Sequence, residues 1–378
     1  MIEINKDDVF NEAYIATHEK NVLNYIDNKG VVNIRFYNYS LKTNDQETKN
    51  LIRHIAFNPF SKFNSASVNH QKFLHDYNQI SDFLLYSKKY FSIFKKLYSE
   101  KKGTISYRSY LLNERTRIVN LFKNNKILIS MEINIQENIK SEEKYNKIYN
   151  KIKTSFAKEN LSIVNLFNYN EFMEGTPNIR NEILSNMKIS VCPYCNRQYI
   201  DTYIHEGKVR SIAHIDHFYP KSVYPLYALS LLNFVPACAH CNCLIKRDHL
   251  FPWRKIYSDN PDNSKYFNLH FTTSKGTLGD ASDFQIKLTP KNIDDKCNSI
   301  FFRHHDIYKN HVTDISTILK KRRLYTDAYR VSIEQCMSSK ISEDEFKEIL
   351  FGVSSIKDHA NSLLSKLKED ILDDILKS

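Results

Sequence analysis

The stretch "HIDHFYPKSVYPLYALSLLNFVPACAHCNCLIKRD", residues 214–248, brings unlike reactive side chains together in one short segment. It holds an Asp-His pair, an apolar run that opens at Asn233, and a Cys-x-x-Cys pair followed directly by Asn242. Pro220 ends the first strand-like run, because proline cannot donate a hydrogen bond to a continuing strand. We therefore predict two short strands followed by a short helix, with carboxylate, imidazole, carboxamide and thiol groups gathered where they meet.

The whole chain has 378 residues, of which 42% are hydrophobic and 26% are charged. This balance is typical of a globular protein, and the length predicts two or three domains. No apolar run approaches the roughly 18–20 residues of a membrane-spanning helix, and residues 1–14 are too acidic and polar for a secretory signal peptide. We therefore expect a cytoplasmic protein, whose cysteines bind metal or stay reduced.

The formal net charge is +11, and an excess of Lys and Arg favours a polyanionic partner. Much of the excess falls in residues 88–126, and a second cluster comprises Lys320, Lys321, Arg322 and Arg323. Tyr and Phe are interleaved with both, which suits contact with a nucleic-acid backbone together with base stacking. We expect DNA to bind there; the alternative is an ordinary solvated helix flank.

The low glycine content, seven residues, favours helices over a turn-rich β architecture. Apolar residues at helical spacing predict helices at 68–100, 107–123, 140–168, 309–335 and 343–376. Strand-like runs are fewer and lie at 30–41, at 126–135 and after a loop at 258–266. The chain is therefore predicted to be a mostly helical α+β protein.

Composition divides the chain into three predicted parts. Residues 1–185 form a mostly helical domain that binds DNA or a partner, and the Gly-Thr-Pro at 175–177 breaks the helical pattern before its end. Residues 186–256 form a Cys/His-rich core. Residues 257–378 form a helical region that we expect to pack on that core.

Two Cys-x-x-Cys pairs, Cys192 with Cys195 and Cys238 with Cys241, predict a structural zinc site. Each short spacing lets two thiolates face one ion, so the two pairs together supply a tetrahedral ligand set with no position left for water. The alternative is two unrelated reduced pairs or a redox Cys-x-x-Cys. The remaining cysteines are expected to be ordinary buried thiols: Cys243, Cys297 and Cys336.

Between and beside these pairs lie the parts that phosphodiester hydrolysis requires. Asp216 offers the hard oxygen ligand that Mg²⁺ prefers, and His217 has the ordinary pKa of a general base. Asn233 can hold the intervening loop so that His217 keeps its orientation. The carboxamide oxygen of Asn242 can be a second metal ligand, and Lys246, one helical turn later, can contact a phosphate. Taken singly, each has a plainer reading as a packed histidine, a capping carboxylate or a helix cap.

The pattern DH…N…CN…K between two Cys-x-x-Cys pairs resembles the HNH endonuclease family, whose core is a ββα-metal finger. The likeness covers roughly residues 190–250 and is greatest to HNH nuclease subunits of bacterial anti-phage systems such as Septu. It implies that His217 is the general base, that Asp216 and Asn242 hold the catalytic metal, and that Asn233 orients the base. Asn242 stands where many members have His, which favours Mg²⁺ or Mn²⁺ over softer metals. Lys246 follows it by four residues where many members have three.

The resemblance implies a metal-dependent endonuclease that hydrolyses DNA, acting as the nuclease effector of an anti-phage system, alongside an ATPase or sensor subunit. Cutting both strands with one site per chain would favour a homodimer. Two alternatives stay open at this stage: an RNA-cleaving effector, and a zinc-stapled module that binds nucleic acid without catalysis. The intact Asp-His-Asn-Asn set argues against the second, because a binding module needs no base beside a metal ligand.

Overall fold

A computed structural model describes eight ranges of the chain: 2–64, 67–89, 106–131, 141–247, 256–261, 264–337, 340–353 and 359–377. Residues 90–105 of the predicted basic stretch 88–126, and the predicted strand residues 132–135, lie outside these ranges. The described residues form a mostly helical α+β protein with small sheets, as the composition predicts.

The helices of the described residues range in length from one turn to six turns. In chain order they are α1 Glu12–Asp27, α2 Gln46–Phe57, α3 Val68–Lys89, α4 Tyr107–Phe122, α5 Lys126–Ser130, α6 Glu142–Glu159, α7 Leu161–Leu166, α8 Tyr169–Gly175, α9 Ile179–Asn186, α10 Ser274–Thr277, α11 Ile293–Phe301, α12 His304–Tyr308, α13 Val312–Leu324, α14 Asp327–Met337, α15 Glu343–Phe351 and α16 Ser365–Lys377. Three of the predicted helices, at 140–168, 309–335 and 343–376, are each divided between two observed helices, whereas α3 and α4 are single helices. Gly352, at φ +60°, ends α15 in the left-handed conformation that glycine adopts without strain.

The strands pair two by two. They are β1 Ile4–Asn5, β2 Asn33–Phe36, β3 Tyr39–Lys42, β4 Thr202–His205, β5 Lys208–Ser211, β6 His214–His217, β7 Phe234–Ala237, β8 Tyr257–Ser258, β9 Phe267–Phe271 and β10 Phe284–Leu288. β1 pairs with β8 in parallel, and the other four pairs are antiparallel: β2–β3, β4–β5, β6–β7 and β9–β10. The strands expected after the loop at 258–266 are β9 and β10.

The strand predicted at 126–135 is wrong where the chain is described, because Lys126–Ser130 is helix α5. Asn125 caps this helix by accepting a hydrogen bond from the Leu128 N–H at 3.0 Å. Ile127 and Leu128 are buried against the helices of the first core. A cap and two anchored apolar side chains suffice for one helical turn, and they outweigh the preference of isoleucine for strands.

The apolar residues gather in two cores. The first runs from the N-terminal helices across the predicted boundary at residue 185 into the β6–β7 region, and includes Val22, Leu51, Tyr77, Phe156, Leu231 and Phe234. The second packs β9 and β10 against α13 and α16 through Phe267, Ile286, Ile315, Leu319, Leu367 and Ile371. The N-terminal helices therefore share their interior with the Cys/His-rich segment. None of the helices in the described ranges is long and apolar enough to cross a membrane.

Candidate functional site

A strand–strand–helix unit carries the site, in the order that the sequence predicts. β6 and β7 are antiparallel, with Ile215 opposite Pro236, and the helix His240–Lys246 follows. This helix is a π-helix: the Arg247 N–H donates to the Asn242 carbonyl, five residues earlier, at 2.7 Å. π-Helical turns are rare and occur often at functional sites.

The four cysteines of the two Cys-x-x-Cys pairs meet in one buried cluster, in which all sulfur atoms lie within 4.8 Å of one another. The Cys195 and Cys238 sulfurs are 4.0 Å apart, and the Cys241 N–H donates to the Cys238 sulfur at 3.4 Å. Tetrahedral zinc with bonds of about 2.3 Å spaces its sulfur ligands at about 3.8 Å, so the group can hold a metal such as zinc. Of the other cysteines, only Cys297 is buried as expected.

The crowding of the thiols favours the thiolate at one position first. The pKa of Cys238 is lowered because Cys192, then Cys195 and Cys241, donate hydrogen bonds to its sulfur. Burial raises the pKa of Cys192 at the same time. Thiolates are the form of cysteine that binds metal. A bound cation would therefore stabilise the thiolate form that the hydrogen bonds already favour at Cys238.

Beside this cluster lies a cavity of about 630 Å³ that brings four of the five predicted chemical residues together. Its lining includes Asp216, His217, Asn242 and Lys246. Asn233 is fully buried and does not line it. The cavity is open to solvent and large enough for one sugar-phosphate unit. Four of the five residues that the motif predicts therefore line one cavity.

The Asp216 carboxylate is buried and already paired. Its Oδ1 accepts from Lys246 Nζ at 2.8 Å, and its Oδ2 accepts from the Tyr194 hydroxyl at 2.5 Å. Lys246 Nζ also donates to the His217 backbone carbonyl at 2.7 Å. Burial raises the pKa of Asp216, and the ammonium of Lys246 opposes that rise. Lys246, predicted to contact a phosphate, is instead 1% exposed and directed inward.

The oxygen donors present fit a hard divalent cation. Each carboxylate oxygen of Asp216 has a second lone pair beyond the one that its hydrogen bond uses. The half-buried side chain of Asn242 lines the same cavity. Mg²⁺ needs few protein ligands because it keeps several waters, so one carboxylate and one carboxamide are a sufficient protein contribution.

The His217 imidazole is held in one tautomer. Its Nε2 is 3.0 Å from the Ala228 carbonyl oxygen, and because a carbonyl can only accept, Nε2 carries the proton and Nδ1 keeps its lone pair. Tyr169 and Phe234 pack edge-on to the ring at centroid distances of 4.7 and 5.3 Å. Burial lowers the pKa of His217 to about 3, so the ring is neutral at pH 7.

Asn233 fastens the loop between β6 and β7. Its Oδ1 accepts from the Tyr219 N–H at 2.8 Å, while its Nδ2 donates to the Tyr219 carbonyl at 3.1 Å and the Tyr227 carbonyl at 3.0 Å. Tyr227 immediately precedes Ala228, the residue that accepts from His217. The side chain of Asn233 therefore acts on the loop that orients the imidazole and does not contact the imidazole itself.

Sequence reasoning missed Tyr194 and His18. Tyr194 lies inside the first Cys-x-x-Cys pair, and that position between the two cysteines is a signal that could have marked it. His18, on α1, is fully buried and places its Nε2 2.8 Å from the Leu229 carbonyl. Nothing near residue 18 indicates this contact, because the two residues are 211 positions apart in the chain.

In the described parts of the two predicted DNA-binding regions, some of the basic side chains are already engaged in contacts within the protein. Arg115, within 88–126, is 5% exposed, lies 3.5 Å from a Glu142 carboxylate oxygen and sits over the Tyr145 ring. Lys321 donates to the Leu350 carbonyl at 2.6 Å on the last turn of α13. These two residues hold helices together, which leaves fewer cations for a polyanion.

Comparison with known proteins adds no relative: the chain matches no protein-family model, and no curated protein or solved structure is significantly similar to it. The fold and the site therefore define the class of this protein by its structure alone. It is a mostly helical α+β protein in which a buried four-cysteine group lies beside a cavity lined by Asp, His, Asn and Lys.

Proposed function

We propose that this protein is a metal-dependent endonuclease of the HNH kind that hydrolyses phosphodiester bonds in DNA. The observation that carries the proposal is the neutral His217 imidazole, with its Nδ1 lone pair unblocked by its other hydrogen bond, in the same cavity as the oxygens of Asp216 and Asn242. A base beside a pair of hard ligands is what hydrolysis at phosphorus requires. The resemblance of the motif to HNH nucleases gives the same assignment.

The chain's own residues supply the proton transfer. His217 takes the proton of a water molecule at Nδ1 while its Nε2–H stays bonded to the Ala228 carbonyl. The water oxygen attacks the phosphorus, and the 3′ oxygen leaves. A divalent cation on Asp216 and Asn242 would stabilise the negative charge that develops on the phosphate and the leaving oxygen. Tyr194 and Lys246 hold the Asp216 carboxylate in place through both of its oxygens.

The four-cysteine group supports this arrangement from behind. With zinc bound, Cys238 and Cys241 would fix the start of the π-helix, and Asn242 follows Cys241 directly. A metal that closes this cluster would hold Asn242 and Lys246 against β6, on which Asp216 and His217 lie. Zinc would therefore act as a structural support for the proposed catalytic residues.

The biological role rests on the resemblance to HNH subunits of anti-phage systems. On that basis the protein acts in the cytoplasm as a defence effector, with an ATPase or sensor subunit that supplies the trigger. DNA would contact the basic residues that stay exposed within 88–126 and at Lys320 and Arg323. RNA is the alternative substrate, because the chemistry at phosphorus is nearly the same.

A plasmid-nicking assay tests the proposal. Wild-type protein, His217→Ala and the control His70→Ala are compared with Mg²⁺, Mn²⁺ or EDTA. His70 is also a buried histidine, but it bonds to Thr48 and Ser67, away from the cavity. We expect wild type and His70→Ala to cut with metal only, and His217→Ala to lose at least 100-fold in rate, the share that general-base catalysis contributes.

Three results would change the assignment. Cleavage of RNA alone, measured in parallel on labelled transcripts, would replace the substrate while keeping the mechanism. Cleavage by His217→Ala at the wild-type rate would overturn the role of His217 as the base. A gel shift of DNA by both proteins without any cutting, even with the products of the neighbouring genes added, would favour the non-catalytic binding module.

A further inference from the structure

Three consecutive carbonyls in the loop between β6 and β7 each accept a hydrogen bond from a buried side chain. In chain order the bonds are Asn233 Nδ2 to the Tyr227 oxygen at 3.0 Å, His217 Nε2 to the Ala228 oxygen at 3.0 Å, and His18 Nε2 to the Leu229 oxygen at 2.8 Å. The middle donor is the proposed base. The outer donors come from Asn233, the residue before β7, and from His18 on helix α1, so donors from three places in the chain fix one turn.

Neighbouring carbonyls in a chain cannot turn independently. Each peptide unit is planar, so the direction of the Ala228 carbonyl changes only through the dihedral angles that it shares with the peptide units of Tyr227 and Leu229. Bonds that hold both neighbouring carbonyls therefore oppose rotation of the middle one. The acceptor of His217 is fixed from both sides, and His18 supplies the fixation on one of them.

The surroundings of His18 indicate that a hydrogen-bond donor to the Leu229 carbonyl is needed at this position. The side chain is fully buried, and its ring packs edge-on to Phe172 at 5.9 Å and to Phe234 at 6.5 Å. Its Nδ1 has no hydrogen-bond partner among the described residues, which costs free energy that an apolar side chain would avoid. Phe234 also packs against His217 at 5.3 Å, so the two histidines lie against the same aromatic ring.

We propose that His18 is a positioning residue of the candidate active site, which fixes the loop carbonyls that set the orientation and tautomer of His217. This inference rests on the proposed role of His217 as general base. It makes helix α1, in the predicted DNA- or partner-binding domain, a part of the catalytic unit. The N-terminal region then could not be removed without loss of the site.

The test uses the full-length protein and three variants. His18→Gln keeps an N–H donor near the position of Nε2, whereas His18→Leu has a similar volume and no donor. His70→Leu is the matched control, because it removes a buried histidine away from the loop. We expect His18→Leu to lower kcat for DNA cleavage by about 10- to 100-fold with KM unchanged, as loss of an orienting partner does. His18→Gln should recover most of the rate, and His70→Leu should keep it.

A second measurement does not depend on activity. In ¹⁵N NMR spectra of histidine-labelled protein, the wild type should show His217 protonated at Nε2 only. His18→Leu should show a mixture of tautomers, whereas His18→Gln and His70→Leu should match the wild type. If His18→Leu does not fold, His18→Asn replaces it, because its shorter amide cannot reach the Leu229 carbonyl.

The outcomes separate the two proposals. If the wild type cuts DNA and His18→Leu has the same kcat and the same His217 tautomer, the positioning role is overturned. The proposed nuclease function is then unaffected. If the wild type cuts neither DNA nor RNA but the His217 tautomer shifts in His18→Leu, the positioning of His217 by His18 is supported. The proposed nuclease function is then overturned. A lower kcat that His18→Gln does not restore, with the tautomer unchanged, would make His18 a packing residue only.

Discussion

The four-cysteine group and the Asp216 cavity share one scaffold and differ in how they are made. Cys241 lies in the first turn of the π-helix that Lys246 ends, Cys238 lies just before that helix, and Asp216 lies on strand β6. The cysteine group consists of four identical side chains from two local pairs, which could together fill all four positions of a tetrahedral metal site. The cavity is built from unlike side chains, and its buried carboxylate is paired with an ammonium.

The difference shows that the two centres place opposite demands on the fold. A bound zinc would add stability, because a closed thiolate set binds it tightly only when the chain is folded. The cavity instead contains a buried ion pair and a desolvated imidazole, groups whose burial costs free energy. Tyr194 joins them, since it lies between Cys192 and Cys195 and donates to Asp216. The first centre thus supports the second.

The largest expected effect is loss of the metal from the cysteine group. Cys238→Ser, or removal of metal with a strong chelator, should abolish binding of one zinc per chain and unfold the region around β6 and β7. Structural zinc sites contribute about 10–16 kcal/mol in small domains, as much as the whole stability of many proteins. Zinc content by mass spectrometry and the thermal unfolding midpoint are the measurements.

Cys336→Ser is the control for that comparison, because Cys336 is an exposed thiol outside the cluster. It should leave both zinc content and the unfolding midpoint unchanged. Full zinc content and an unchanged midpoint in Cys238→Ser would show that the four cysteines are not a metal centre.

The next effect concerns the buried ion pair in the cavity. Lys246→Met leaves the Asp216 charge without its ammonium partner and should lower the free energy of unfolding by about 3–5 kcal/mol. Mg²⁺ should restore part of this loss, because a cation bound at Asp216 replaces the missing charge. Urea unfolding without Mg²⁺ measures the loss of stability. The same measurement repeated at Mg²⁺ concentrations that rise in 10-fold steps measures the recovery.

Lys366→Met provides the matched control, since Lys366 pairs with buried Asp370 at 2.7 Å in the second core. It should destabilise the protein to a similar degree and show no recovery with Mg²⁺. Recovery in both variants, or in neither, would argue against a cation site at Asp216.

A smaller effect is expected when the link between the two centres is cut. Tyr194→Phe removes the hydroxyl that donates to Asp216 and should cost about 1.5–3 kcal/mol, the range for a hydrogen bond to a charged group. Tyr308→Phe, which loses a bond to the neutral Cys195 carbonyl, should cost about 1 kcal/mol. Equal effects of the two variants on unfolding and on Mg²⁺ dependence would show that the Tyr194 hydroxyl has no special relation to the cavity.

The smallest effect is a pH dependence that originates at His18. Burial lowers its pKa from 6.5 to about 4, so between these values the unfolded chain binds a proton that the folded protein does not. Stability contributed by the neutral ring is therefore present above pH 6.5 and is lost as pH falls towards 4. The loss amounts to about 1.4 kcal/mol at pH 5.5.

Comparing wild type with His18→Gln isolates this term, because glutamine does not titrate. The difference in free energy of unfolding between the two proteins should move in favour of His18→Gln by that amount between pH 7.5 and pH 5.5. A difference that stays constant over this range would mean that His18 gains its proton in the folded protein as readily as in the unfolded chain.

Much of the local fold was predictable from the sequence, and the errors have identifiable causes. Helices α3, α4 and α6 lie where apolar periodicity predicts them, and β2 with β3 occupies the predicted strand run at 30–41. Periodicity did not predict the breaks, which are set by caps such as Asn160 and by Gly352. Residues 126–130 became helical because a cap at Asn125 outweighed strand propensity.

The sequence by itself determined what short spacing controls: two cysteine pairs that face one point, the order of two strands and a helix, and the common cavity of Asp216, His217, Asn242 and Lys246. Only the tertiary structure decided which partners these groups have. The inward direction of Lys246, the hydroxyl of Tyr194 on Asp216 and the donor of His18 on the loop all depend on packing between distant segments. Spacing constrains residues a few positions apart, whereas contacts across the chain follow from how buried surfaces fit together.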